Sequence, residues 1–568
     1  MPAITFEHVN FQYESQAEPT LHDINLTINA GEKVLIAGPS GSGKSTLGNL
    51  INGSIPHSIK GQVTGHIRVG KLDTQEASLF DLSLLVGTVL QDPDSQFIGL
   101  TTAEDIAFGL ENDRVARPEM HQRVEQWATR LGIAAQLHQS PQELSGGQKQ
   151  RDAMAGVLID DGDILLFDEP LAALDPASGH QSIALIDELH QQLHNTVIII
   201  EHRIEDVLTR PVDRVILMAK GKIVADLKPD ALLRSNELQQ IGLREPLYIE
   251  ALRYAGCDLN HIDHIDNVNA LNAEVLAPAL QSWQANATVP VTIQSGEPLL
   301  DVRQLSFCYE NGPQIFHDFD LTINRGDMLA LVGRNGVGKS TLSQIITGFL
   351  TPSAGTLTYH DGHTDIDLAK LSVKERADKI GYIMQDPNQM ISQVMIRDEV
   401  ALGLRLRGVD EAAIKQRVDD TLKICGLYPF RNWPINALSF GQRKRVTIAS
   451  ILVLQPELLI LDEPTAGQDW RHYTDMMTFL EQLNQQGITM MFITHDMHLM
   501  LEYANRTVVL GDQGVMLDAK PSTVLSNPTV VSAAALAPTS LYQLAERVHI
   551  DPDAFTQHVI ATERKVRR

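Results

Sequence analysis

The segment GPSGSGKST, Gly38–Thr46, recurs as GRNGVGKST, Gly333–Thr341, and this repetition constrains the fold more than any other feature of the chain. Lys44 maps onto Lys339 at an interval of 339 − 44 = 295 residues. Further segments keep the same order and nearly the same interval: QDPDSQ from Gln91 and QDPNQM from Gln385, LSGGQ around Ser145 and LSFGQ around Ser439, LLFDEP around Asp168 and LILDEP around Asp462, EHR at His202 and THD at His495. Chance matches do not preserve order and spacing, so one domain has been duplicated. A chain of 568 residues is too long for a single core and fits two large domains. The copies are expected at residues 1–235 and 298–525. A helical piece and linker should fill 236–297, and one or two small helices should follow in 526–568.

Apolar runs such as EKVLIAG and DMLALVG, and those ahead of each Asp-Glu pair and each histidine, read as buried strands separated by helices. The predicted class is α/β, with a mostly parallel sheet at the core of each copy.

Both glycine-rich segments satisfy GxxxxGK[ST], follow an apolar run and precede a helix-like one, LGNLINGS and LSQIITGF. A chance match occurs on the order of 10⁻⁵ per position, so two in register are not coincidence. The expected phosphate cradle is Gly38, Pro39, Ser40, Gly41, Ser42, Gly43, Lys44, Ser45 and Thr46, repeated as Gly333, Arg334, Asn335, Gly336, Val337, Gly338, Lys339, Ser340 and Thr341. Backbone N–H groups turn inward around the phosphates at a helix N-terminus, and the lysine supplies a fixed charge. Ser45 and Ser340 are expected to give a hydroxyl to Mg²⁺.

Asp168-Glu169 and Asp462-Glu463 each end an apolar run, which places adjacent carboxylates at the carboxyl end of a strand, where open α/β sheets bind ligands. A solvated acidic turn accounts for either pair alone but not for both. The aspartates are expected to hold Mg²⁺, and the glutamates to take a proton from the attacking water or to orient it.

With these residues the chain resembles the ATP-binding cassette (ABC) family over nearly its whole length. LSGGQ, Leu144–Gln148, and LSFGQ, Leu438–Gln442, single that family out among P-loop ATPases. The resemblance implies a helical signature subdomain in each copy, ATP and Mg²⁺ as cofactors, and two composite sites formed within one chain. One site would take Lys44, Gln91, Asp168, Glu169 and His202 with Ser439, Gly441 and Gln442; the other would take Lys339, Gln385, Asp462, Glu463 and His495 with Ser145, Gly147 and Gln148. Gln91 and Gln385 would join the Mg²⁺ shell, His202 and His495 would contact the γ-phosphate, and Tyr13 and Tyr309 would stack on adenine. Two departures stand out. Phe440 replaces the first glycine of the second signature, and Gln468 precedes Asp469 where the first copy has Leu174 before Asp175. Neither removes a phosphate or metal ligand, so both sites are expected to hydrolyse ATP.

A formal charge of −25 repels a phosphate backbone, and no nucleic-acid partner is expected. Spanning a bilayer takes about 20 consecutive apolar residues, which the chain lacks, and its start shows no signal peptide. A peripheral protein on the cytoplasmic face of the cell membrane is expected. Cys257, Cys308 and Cys425 form no CxxC pair and read as buried free thiols, and the ERKVRR end reads as a solvated tail.

QDPDSQF from Gln91 to Phe97, with the IEHR and REPLY segments, resembles the energy-coupling factor class of importers in a fused form of its two ATPase subunits. That resemblance implies a transmembrane coupling protein and a substrate-binding membrane protein as partners. It also implies import of a vitamin, a vitamin precursor such as hydroxymethylpyrimidine, or a metal ion such as cobalt. Asp92, Asp94 and Gln96, with Asp386, Asn388 and Gln389, are expected to line the groove that receives the partner. The alternatives are a soluble ABC factor acting on the ribosome, which would have a basic linker, and a sugar-importer ATPase.

Overall fold

The computed structural model describes residues 2–172, 174–287, 296–310, 312–465, 468, 470–512 and 514–567. The chain divides into two compact units between Leu280 and Gln281.

In the first unit a six-stranded sheet runs, in spatial order, Lys222–Leu227, Arg214–Ala219, Lys33–Ala37, Thr196–Ile200, Ile164–Asp168, Val86–Val89. Neighbours pair in parallel apart from the first two, which are antiparallel. All five residues of KVLIA and of TVIII are buried, as strands covered on both faces require. The second unit repeats the sheet as Ile380–Ile383, Leu458–Asp462, Thr489–Ile493, Met328–Val332, Arg506–Gly511, Gly514–Ala519. The α/β class read from the sequence is the class observed.

Each unit adds a four-stranded antiparallel sheet. In the first unit Pro2–Tyr13 pairs with Leu21–Asn29 on one side and Gly61–Val69 on the other; in the second, Pro298–Cys308 pairs with Gln314–Asn324 and Ala354–His360. The buried side of this layer, including Phe6, Phe11 and Ile24, packs in one cluster with Leu47 and Leu50 of the helix that follows the glycine-rich loop. A separate helical lobe in each unit carries the signature: Thr102–Asn112, Arg117–Arg130 and Gly146–Leu158, then Ile396–Arg405, Glu411–Ile424 and Phe440–Leu452.

The segment after the first cassette is more structured than a linker. Helix Leu247–Tyr254 buries Leu247, Tyr248, Ile249, Ala251 and Leu252, and Ala273–Ala285 forms a longer helix. At the other end three helices stand where one or two small ones were expected: Pro528–Ala533, Ser540–Arg547 and Pro552–Arg567. The last of these is not a solvated tail, since Phe555, Val559 and Glu563 are buried and Arg564 donates to the carbonyl of Glu502. Of the three cysteines only Cys425 is buried; Cys257 is half-buried and Cys308 exposed, so the expectation of buried thiols fails for Cys308, which sits at the outward-facing last position of strand Pro298–Cys308.

Candidate nucleotide sites

The glycine-rich loops connect a buried strand to a helix in both units, Lys33–Ala37 to Lys44–Ile51 and Met328–Val332 to Lys339–Thr347. The glycine before each lysine is obligatory. Gly43 and Gly338 have φ of 100° and 109°, and a Cβ there would stand 2.6 Å from Leu21 Cδ2 and from Ile315 Cγ2. Lys44 and Lys339 are buried inside their loops. Their ammonium groups donate to the carbonyls of Gly38 (2.7 Å) and Pro39 (3.1 Å), and of Gly333 (2.7 Å) and Arg334 (3.0 Å). The positive charge is thus held in the ring of the loop.

Ser45 Oγ donates to Asp168 Oδ1 at 3.3 Å, and Ser340 Oγ to Asp462 Oδ2 at the same distance. A hydroxyl and a carboxylate facing each other at a loop rich in backbone N–H groups are the hard oxygen donors Mg²⁺ takes. The electrostatics agree with this. Burial, then the neighbouring Glu169, raises the Asp168 carboxyl to about 6, and burial likewise raises Asp462; a divalent cation beside them would favour their charged form.

Glu169 and Glu463 follow at once, with φ of 46° and 44°, the left-handed region that only glycine enters freely. Their backbone N–H groups donate to the carbonyls of Ile200 and Ile493, each at 2.9 Å. Burial raises both carboxyls above the usual range, which favours proton acceptance near neutral pH. The structure brings Gln91 and His202 to the first of them: Gln91 Nε2 donates to Glu169 Oε2 at 2.7 Å, and His202 Nδ1 lies 3.8 Å from Oε1. At the second, the backbone N–H of His495 donates to Glu463 Oε1 at 3.0 Å, its Nε2 lies 3.8 Å away, and the Thr494 hydroxyl donates at 3.4 Å. Gln385 occupies the loop that follows strand Ile380–Ile383.

The tyrosine hydroxyls reach their loops, Tyr13 to Thr46 Oγ1 at 2.8 Å and Tyr309 to Thr341 Oγ1 at 3.0 Å, each ring standing edge-on to a neighbouring phenylalanine. At the signatures, Ser145 and Ser439 cap long helices, and the glutamine side chains fold back to accept from the serine N–H groups at 2.9 and 3.0 Å. Gln148 and Gln442 are therefore engaged as caps. What faces outward is the helix N-terminus itself. Phe440 begins its helix, as Gly146 does, without left-handed backbone, so the replacement changes no backbone conformation. Gln468 is buried and donates to the Pro464 carbonyl at 3.2 Å; Asp469 lies outside the described residues.

The loop residues expected to meet a partner also make bonds within their own unit. Asp92 and Asp386 cap short turns, Asp94 pairs with Lys149 at 2.6 Å, and Asn388 accepts from Arg443 at 2.9 Å, so this loop is tied to the signature helix. Gln96 bridges Leu90 and Thr88. The outward apolar side chains come a few residues later: Ile98 is 63% and Leu100 83% exposed, and Val394 in the second unit 73%. Asp105 holds the Ile98 and Gly99 N–H groups at 2.6 and 2.8 Å, as Glu399 holds those of Ser392 and Gln393.

Sequence reasoning passed over four site residues: Glu201, whose buried carboxylate lies 3.1 Å from His202 Nδ1; Tyr382, which donates to Asp462 at 3.1 Å; and the buried pair Gln150 and Lys444. Position-by-position comparison of the two copies would have shown Glu201 against Thr494 and Gln150 against Lys444 as the places where a matched site differs.

A glycine-rich loop opening a helix, with an Asp-Glu pair ending the adjacent strand, defines a P-loop nucleotide-hydrolysing domain, here present twice. The ABC transporter family matches residues 21–172 and 316–466, and a family described as ATP-binding cassette cobalt transporter matches 235–307. Relatives carrying the name ABC transporter ATP-binding protein include one from Lactiplantibacillus plantarum, 58% identical over the full length of both chains. Another, from Enterococcus faecalis, is 55% identical over 100% of this chain and 99% of the other. A solved structure of cbiO1 from Clostridium perfringens, described as part of the ABC transporter complex cbiONQ, is 34% identical and covers 42% of this chain and 94% of its own, with a TM-score of 0.38. The chain belongs to the ABC transporter family, as an ATP-binding subunit with two cassettes and ATPase activity.

Proposed function

We propose that the chain is the ATP-hydrolysing subunit of an energy-coupling factor importer, bound peripherally to the cytoplasmic face of the cell membrane through a transmembrane coupling protein and a substrate-binding membrane protein. Its cargo is a vitamin, a vitamin precursor or a metal ion. The observation that carries this reading is the match of residues 235–307 to a cobalt-transporter cassette family, alongside apolar side chains presented at Ile98, Leu100 and Val394 on loops that begin at Gln91 and Gln385. Among the described residues no helix is long and apolar enough to cross a membrane, so transport needs partners that do.

In this reading each cassette binds ATP with its lysine, and Ser45 with Asp168, and Ser340 with Asp462, would hold Mg²⁺, which neutralises phosphate charge when bound. Gln91 and Gln385 would join the residues that hold the metal, Glu169 and Glu463 would accept the proton of the attacking water, His202 and His495 would steady the γ-phosphate, and Tyr13 and Tyr309 would meet the adenine. Each signature serves the nucleotide of the other cassette. Supporting this, Gly147 and Gly441 have ordinary φ, and a Cβ on either would meet nothing closer than 3.8 Å in its own unit. Nothing local demands glycine there.

Purification of the native protein in mild detergent is expected to bring down a multi-spanning membrane protein, and replacing Ile98 and Leu100 by Asp should lose it while hydrolysis of ATP in solution continues. Sedimentation with ribosomes, weakening steeply with salt, and no membrane protein would overturn the importer reading.

A further inference from the structure

Gln150 and Lys444 occupy one position in the two signature helices, Gly146–Leu158 and Phe440–Leu452, and are buried at 4% and 0% exposure. A polar side chain so deep in a lobe is retained only if its hydrogen bond is made. Each is directed at the turn that carries the acidic pair. Gln150 Nε2 donates to the carbonyl of Pro170 at 2.6 Å, and Lys444 Nζ donates to the carbonyl of Glu463 at 2.7 Å.

That turn is one that needs holding, because Glu169 and Glu463 are non-glycine residues in left-handed backbone. On the amino side the peptide is fixed by the N–H bonds to Ile200 and Ile493, the last residues of the strands leading to His202 and His495. On the carboxyl side the grip comes from the signature helix. The glutamate is therefore clamped between two elements that each lead to a different part of the ATP site. The grips differ: Lys444 takes the carbonyl of the glutamate itself and brings a charge near Glu463, Asp462 and Asp386, whereas Gln150 is neutral and takes the next carbonyl along.

We infer that Gln150 and Lys444 are positioning residues for hydrolysis, fixing the aim of the Glu169 and Glu463 carboxylates by tethering their turns to the signature helix, with the tighter hold in the second cassette. The inference rests on those glutamates being the groups that activate water.

The test uses the full-length chain and steady-state ATP hydrolysis, with Glu169→Gln/Glu463→Gln as control and thermal melting and nucleotide Kd measured alongside. Gln150→Met/Lys444→Met should lower kcat by roughly 30-fold while KM and Kd stay within about threefold, since misaim costs the chemical step and not binding. The exchange variant Gln150→Lys/Lys444→Gln, in which both positions can still donate, should keep kcat within about fivefold of the parent. Of the single changes, Lys444→Met should cost more than Gln150→Met. Unchanged kcat in the double Met variant, or a rise in KM alone, overturns the inference. If the Met variants melt early, the exchange variant decides: retained kcat supports it and a loss as large as that of the Met pair overturns it. Turnover persisting in the glutamate control would instead refute the assignment of the glutamates.

Discussion

Among single side chains, Asp152 sits in an unfavourable environment. It is fully buried, neither carboxylate oxygen has a hydrogen-bond partner in the protein, and burial together with the nearby Asp105 raises its carboxyl to about 8. Val446 fills the matching place in the second copy. A carboxyl raised in the folded state, against about 3.9 unfolded, contributes stability that is fully present below the unfolded value and is lost as pH rises through the folded one. Between about pH 4 and 8 the first unit should therefore lose stability, and Asp152→Val should flatten that loss and raise the Tm at pH 8 by roughly 5 °C, read by calorimetry across pH. The glutamates obey a different logic, since removing a base leaves packing intact. Glu169→Gln with Glu463→Gln should lower hydrolysis at least about 100-fold while ATP still binds, as a filter-binding assay would report. Near-normal turnover would refute their role.

On the scale of elements, the C-terminal helices have a legible task. Trp283 of helix Ala273–Ala285 stacks on His558 at 3.8 Å between ring centroids and meets Phe555 edge-on, while Gln281 donates to the Val548 carbonyl and Gln284 lies 3.1 Å from His558 Nδ1. The terminal helices thus fasten the last turns of the segment joining the cassettes. Deleting residues from Pro552 onward removes Phe555 and Val559 from a core and should lower the Tm of the second unit by about 5 °C or more, with hydrolysis at low temperature retained. Unchanged melting would show that this helix does not pack as described.

For the molecule as a whole, duplication did not produce two equal sites. The first gathers Asp168, Glu169 and Glu201 against Lys44; the second gathers Asp462, Glu463 and Asp496 against Lys339 and Lys444, so the second has one more cation for the same number of acids. An anionic nucleotide meets less opposing charge at the second, while the first depends more on a bound cation. Lys44→Ala and Lys339→Ala each remove one charge-assisted contact, worth about 1.5–3 kcal/mol, and leave the other site to be read alone. At low salt the chain carrying Lys44→Ala should bind a fluorescent nucleotide more tightly than the one carrying Lys339→Ala, and the gap should narrow as salt rises. Equal affinities would refute the imbalance.

The duplication, the α/β class and the phosphate-binding segments could all be read from the sequence because phosphate and metal chemistry demands fixed residue types at short, fixed spacing: a glycine with positive φ next to its lysine, two carboxylates at a strand end, a serine opening a helix. Interactions between residues far apart in the chain were decided only by the tertiary structure. Pairing of Pro2–Tyr13 with Gly61–Val69, the bond from Gln150 to a carbonyl twenty residues away, and the approach of His202 to Glu169 depend on which surfaces the parallel core brings together. The same holds for the chain's end, where five charges among the last six residues look like a tail. Folding shows it to be a helix, because its apolar side chains Phe555, Val559 and Ile560 recur at helical spacing and find a core to bury against.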